Sequence, residues 1–283
     1  MKWETNADQP IPVASVAFKE KIPDGIELIP VIFITNETLQ KINDEEIKTL
    51  AFKISKKIGD ILQENNLSAV KEIQLDCDWN EKTEKKYFLL VDEMKKFPLW
   101  EKTTWSATIR LHQIKYADRT GVPPVDKGML MFYNMGNIAD VSSQNSIYDQ
   151  ETAKQYVAKI DAYPLPLDAA IACFSWGLLF YENKLQRIIY PLYENNLSDS
   201  LFTALPGNVF TAKKSFYFEG SFLAEGNTIK IESMTQELSL QSAEILRQYL
   251  KNDSMSVILY HLDSTILNYY TNESFENIYS IFE

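Results

Sequence analysis

Apolar residues fall along this chain in two alternating rhythms, short unbroken runs and helically spaced series, which predict strands followed by helices. Leu28 to Thr35 is a run rich in β-branched residues, as expected of a strand buried on both faces. After the capping residue Asn36, apolar side chains recur at helical spacing from Leu39 to Leu62, including Leu50, Ile54 and Ile58. Asn66-Leu67-Ser68 interrupts the pattern before a strand over 71–79, and Glu84 to Phe97 returns to helical spacing through Tyr87, Leu90, Val91 and Met94. A strand over 104–112, a loop containing Gly121-Val122-Pro123-Pro124 and an all-apolar strand over 128–133 come next. Asp149 and Glu151 open a helix over 149–161, where acidic groups suit the N-terminus. Asp168 to Trp176 reads as a strand whose small residues imply close neighbours.

The rhythm breaks over 208–234, where Phe216-Tyr217-Phe218 and Thr228-Ile229-Lys230-Ile231 flank a turn at Glu225-Gly226-Asn227. This segment reads as an inserted β-hairpin whose second strand joins the main sheet. Gln236 to Leu250 is a helix, Ser256 to His261 the last strand, and 273–283 a closing helix. Seven core strands are therefore expected, near 29–35, 71–78, 104–112, 128–133, 168–175, 228–232 and 256–261. This is an α/β chain one strand short of a (β/α)8 TIM-like barrel. The expected fold is a single TIM-like barrel domain over 1–283 that lacks its first strand, because Gln9-Pro10-Ile11-Pro12-Val13-Ala14 reads as the middle of a connection. An open doubly wound sheet is the alternative. An unclosed barrel exposes two edges, for which an oligomer is one expected cover.

Composition narrows the partners. The 283 residues are 45% hydrophobic, ample for a core, and carry a net charge of -11 with no basic cluster, which argues against nucleic acid. Two cysteines, Cys77 and Cys173, exclude a disulfide framework and read as buried thiols. No apolar run reaches the roughly 18 residues that span a bilayer, and the first residues contain no secretory-type apolar segment. The 9 glycines form neither G-x-G-x-x-G nor a Walker motif, so no nucleotide and no other cofactor is expected.

The chemistry concentrates at strand ends. In Gln74-Leu75-Asp76-Cys77-Asp78-Trp79 the alternation of a strand puts Gln74, Asp76 and Asp78 on one face and Leu75 and Cys77 on the other. The strand Ser106 to His112 places Arg110 and His112 on its polar face. Charged groups at strand C-termini are where an α/β sheet carries its site. Two carboxylates two residues apart suit glycoside hydrolysis, with Asp78 first choice as general acid or base and Asp76 its partner. Arg110 and His112 orient them, or Arg110 simply neutralises an aspartate. Trp79, Tyr133, Trp176 and Tyr260 offer faces for sugar rings, and Gln113, Asn134, Glu232, His261 and Asp263 polar groups for hydroxyls. The same set permits a non-catalytic carbohydrate-binding barrel. It also permits a metal-dependent hydrolase using His112 and His261 with Asp76, Asp78 and Asp263, although no H-x-H or H-E-x-x-H fixes ligands and no metal is assigned.

Taken with Ile109-Arg110-Leu111-His112-Gln113, Gly121-Val122-Pro123-Pro124-Val125-Asp126, Met131-Phe132-Tyr133-Asn134 and Tyr260-His261-Leu262-Asp263, the acidic strand resembles the uncharacterised bacterial DUF3142-like family. The likeness runs from about residue 10 onward. It implies a glycoside-hydrolase-type TIM barrel, often exported or lipid-anchored, with no established activity to carry over. The family's export signal and first strand have no counterpart here, which implies a missing upstream piece. The strand also resembles the D-x-D-x-E end of chitinase-type barrels, with Asp76 and Asp78 at the two aspartates and Asn80 where the acid glutamate belongs. Glu232 is the candidate substitute for that acid.

Overall fold

The computed structural model describes residues 1–67, 70–252 and 254–283, so Ser68 of the Asn66-Leu67-Ser68 interruption lies outside the described residues. The chain divides into two compact units, Met1–Leu130 with Ala162–Asp168, and Met131–Asp161 with Ala169–Glu283.

In the first unit β1 (Lys2–Glu4) and β2 (Gln9–Ile11) form a small hairpin, followed by β3 (Val31–Phe33), α1 (Asn36–Lys41) and α2 (Asp44–Glu64). Then come β4 (Glu72–Asp76), α3 (Glu84–Lys95), β5 (Thr104–Arg110), α4 (Leu111–Lys115), α5 (Ala117–Thr120) and β6 (Lys127–Met131), which leads out of the unit. The single long helix expected over 39–62 is two, because Asn43 caps a second start: its side chain accepts from the Glu46 N–H while Glu46 accepts from the Asn43 N–H. The strands β3, β4 and β5 pair in parallel. On β4 the odd residues Ile73 and Leu75, and Cys77 beyond it, are wholly buried. The even residues Glu72, Gln74 and Asp76 face Ser106 and Thr108 of β5. Gly128 on β6 lets this packing close, since a Cβ there would fall 2.7 Å from Ile109 Cγ1 and 2.8 Å from Leu167 Cδ2.

The second unit continues with α6 (Gln150–Val157), the greater part of β7 (Leu167–Ala172), β8 (Ser175–Tyr181) and β9 (Lys184–Ile189). It adds β10 (Phe202–Leu205), β11 (Val209–Ala212), β12 (Phe216–Phe218), β13 (Ser221–Leu223), β14 (Thr228–Ser233), α7 (Gln236–Arg247), β15 (Val257–Tyr260) and α8 (Asn272–Ser280). β7 and β15 pair in parallel. A separate antiparallel sheet takes the order β10-β11-β14-β8-β9 around a core of Leu179, Ile189, Leu192, Phe210, Leu223, Ile229 and Ile231.

The fold is mixed α/β. Its parallel strands include β3, β4 and β5 in the first unit and β7 with β15 in the second. A complete (β/α)8 barrel is not formed by the described residues. Two expectations need correcting. The strand near 228–232 pairs antiparallel with β8 and β11 instead of joining the parallel sheet. The insertion is also larger than a hairpin over 208–234: it starts at Ser175, where the expected strand 168–176 breaks in two.

Candidate functional site

Asp76 ends β4, Asp78 follows two residues on, and Arg110 ends β5 beside them. The register that sets Gln74 opposite Ser106 brings Asp76 to Thr108, whose hydroxyl donates to Asp76 Oδ1 at 2.6 Å. Arg110 serves both carboxylates: Nη2 lies 3.7 Å from Asp76 Oδ1 and Nε is ion-paired with Asp78 Oδ1. Asp78 keeps 52% of its side chain in solvent, against 20% for Asp76. This difference separates their chemistry. Burial pushes the Asp76 carboxyl above the usual range, against the Thr108 hydrogen bond and the Arg110 charge, with Asp78 adding to the rise. Asp76 therefore keeps its proton to a higher pH than an ordinary aspartate.

His112 does not extend the strand. It lies in α4, because Arg110 turns the corner and its N–H donates to Gln113 Oε1 at 2.7 Å. The imidazole is exposed, and partial desolvation holds it below its ordinary pKa, opposed by Asp78 and assisted by Arg110. Gln113 is fully buried, and its amide also donates to the Trp79 carbonyl at 3.1 Å. Trp79 is buried too, stacked 4.8 Å from Tyr87 with its indole N–H on the Thr120 carbonyl at 2.7 Å. Neither Gln113 nor Trp79 presents a surface to a ligand; both hold the corner. Asn80 is a turn residue whose side chain accepts from the Lys82 N–H at 3.0 Å while its carbonyl accepts from the Thr83 and Glu84 N–H groups. An amide in that place has no acidic proton to give.

Beneath the rim lies a polar column that the sequence reading left unassigned. Lys127 Nζ sits 2.7 Å from both Glu72 Oε2 and Asp168 Oδ2, and Ser106 donates to Glu72 Oε1 at 2.6 Å. Burial opposes the Lys127 charge, but hydrogen bonds to Asp168 and Glu72 override it and hold the ammonium above its usual range. Polar residues that open strands resemble ordinary solvent-facing starts, so no sequence signal marks the column.

The remaining sequence candidates belong to the second unit. Tyr133 stacks on Tyr260 with ring centroids 5.2 Å apart and planes at 10°, and Phe174 meets both rings edge-on. Tyr133, Phe174 and Trp176 are buried, whereas Tyr260 is 41% and Tyr190 38% exposed. Asn134 is exposed, with a left-handed φ of 56°. His261 meets the Tyr190 hydroxyl at 2.8 Å, and Asp263 accepts from the Thr265 N–H and hydroxyl, bonds that hold its carboxyl below the usual range. Glu232 is sealed in: Lys230 Nζ lies 2.7 Å from its Oε1, and Trp176 donates to its Oε2 at 3.0 Å alongside Ser146. Among the described residues no group of three or more His, Cys, Asp or Glu side chains could hold a metal ion. Among them, too, no helix is long and apolar enough to cross a membrane.

The fold is similar to those of solved chitinase structures. It is similar to the C-terminal domain of a candidate chitinase from Desulfitobacterium hafniense, with a TM-score of 0.55 at 11% identity, over 92% of this chain and 80% of that one. It is also similar to a chitinase from Chromobacterium violaceum, with a TM-score of 0.53 at 7% identity, over 90% of this chain and 80% of that one. No family model and no curated protein sequence matches the chain.

Proposed function

We propose that this is a glycoside-hydrolase-like protein that binds an oligosaccharide at the Asp76–Asp78–Arg110 rim without cleaving it by the acid-glutamate route. The observation that carries the reading is the state of position 80. The two aspartates of the chitinase-type pattern are present, but Asn80 replaces the acid and is spent on its own turn. What remains is a set of fixed hydrogen-bonding groups suited to hydroxyls: a solvent-reachable carboxylate on Asp78, an arginine fork and an exposed imidazole. The net charge of -11 favours an uncharged glycan over a polyanionic one. The likeness to chitinases by fold supports a carbohydrate ligand, and the DUF3142-like resemblance is the more specific family proposal.

Titration calorimetry with N-acetylchitohexaose and cellohexaose, followed by mass spectrometry of the same samples, tests this reading. The expected result is binding of at least one, intact, with Asp78→Asn at least tenfold weaker. Absence of binding to both would overturn it. One observation favours turnover as a second reading: Asp76 is largely buried, accepts from the Thr108 hydroxyl, and has its carboxyl pushed above the usual range by burial, the direction a proton donor needs. Product release from the wild type that disappears in Asp76→Asn would establish that alternative.

A further inference from the structure

Tyr190 lies just beyond β9 and was singled out by no sequence pattern, yet its ring reaches the end of β15. Its centroid is 4.9 Å from that of His261, and His261 in turn lies 5.0 Å from Tyr260. The Tyr190 hydroxyl is 2.8 Å from His261 Nε2, at an exposed position. Water would satisfy both atoms there, so nothing in the packing of the unit requires them to meet. The rings behind them are packed together: Phe174 lies edge-on against Tyr190 and Tyr260 and 5.1 Å from the buried Trp176. The result is a wall of packed rings with one partly exposed ring, Tyr260, and one exposed polar pair.

We infer that Tyr190 is a specificity-determining residue of a sugar-binding subsite in which the Tyr260 ring stacks on a pyranose and the Tyr190–His261 pair reads one of its hydroxyls. This rests on the carbohydrate reading proposed above. A phenol offers one donor and two acceptor positions, and its bond to the imidazole consumes one of them whichever way the proton points. The remainder is directed by the bond already made, so only a hydroxyl in the matching orientation completes the set. Burial raises the Tyr190 hydroxyl well above its ordinary pKa, and Asp263, Tyr193 and Tyr260 add to that rise. The phenol therefore stays neutral and discriminates by hydrogen-bond geometry. Stacking on Tyr260 supplies affinity that varies little among sugars, while the pair supplies the selection.

Calorimetric titration of the full chain with N-acetylchitohexaose and with cellohexaose tests the inference, using wild type, Tyr190→Phe, His261→Phe and Tyr260→Ala. Tyr190→Phe is expected to weaken the better ligand about tenfold and to narrow the ratio between the two affinities. His261→Phe should narrow the ratio in the same direction without altering Tyr190 itself, and Tyr260→Ala should weaken both ligands alike. Unchanged affinities and an unchanged ratio in Tyr190→Phe, with wild type binding normally, would overturn the inference and leave the carbohydrate reading standing. Failure of the wild type to bind either sugar would remove both.

Discussion

Two of the carboxylate–cation clusters among the described residues, one from each unit, differ chiefly in burial. Lys230 and Glu232 are both fully buried, 2.7 Å apart, with Trp176, Ser146 and Ser143 bonded around them. Asp76, Asp78 and Arg110 use the same chemistry at a rim where half of Asp78 meets solvent. Charges taken wholly out of water must be matched group for group, which leaves nothing for a ligand. Charges left partly wet are paired loosely enough for a ligand hydroxyl to exchange with water. A glutamate in an aromatic neighbourhood is therefore poor evidence of catalysis until its exposure is known.

The sharpest way to break this contrast is to remove one member of the sealed pair. Lys230→Met strands a buried carboxylate and is expected to lose about 3–5 kcal/mol of stability, measured by chemical denaturation; a loss under about 1 kcal/mol would show that the cluster is open after all. Asp76→Asn gives a smaller, pH-dependent effect. The folded pKa of Asp76 is raised, so its contribution is fully present below the unfolded pKa and is lost as pH rises through the folded value. The variant should therefore gain on wild type across that window by about 1.4 kcal/mol for each pH unit between the two pKa values. Parallel stability curves from pH 3 to 7 would contradict the assignment. Asp78→Asn is the mildest for the fold: its ion pair is half exposed, so unfolding free energy should move by less than about 1 kcal/mol even as glycan affinity drops. A large stability loss there would make the rim structural, like its counterpart.

Much of the site's frame was legible. Period-two alternation separated Asp76 and Asp78 from Leu75 and Cys77, but it was not carried on to Trp79, which is buried. Treating that indole as a sugar platform set its chemical type above its position. Gln113 and His112 were misplaced because an apolar alternation through Leu111 continues the strand on paper, whereas the Gln113 side chain captures the Arg110 N–H and starts a helix. The antiparallel sheet of the second unit stayed hidden for a different reason. Its turn at Glu182-Asn183 has positive φ at both residues, the mirror-image hairpin geometry, but glutamate at the first place is not a recognised signal for it. β8 is apolar almost throughout and so imitates a strand of the parallel sheet. Tyr190 had no marker at all, because its partner His261 stands 71 positions away in sequence.

One buried amide has a wider reach than its size implies. Gln113 grips the main chain at Trp79 and at Arg110 simultaneously, so it acts as a strut that sets the gap between the arms carrying the two aspartates and the guanidinium. A lesion there would widen that gap while every ligand-facing side chain stayed intact. In a mutational screen it would score as lost recognition, although Gln113 itself is shut away from any sugar.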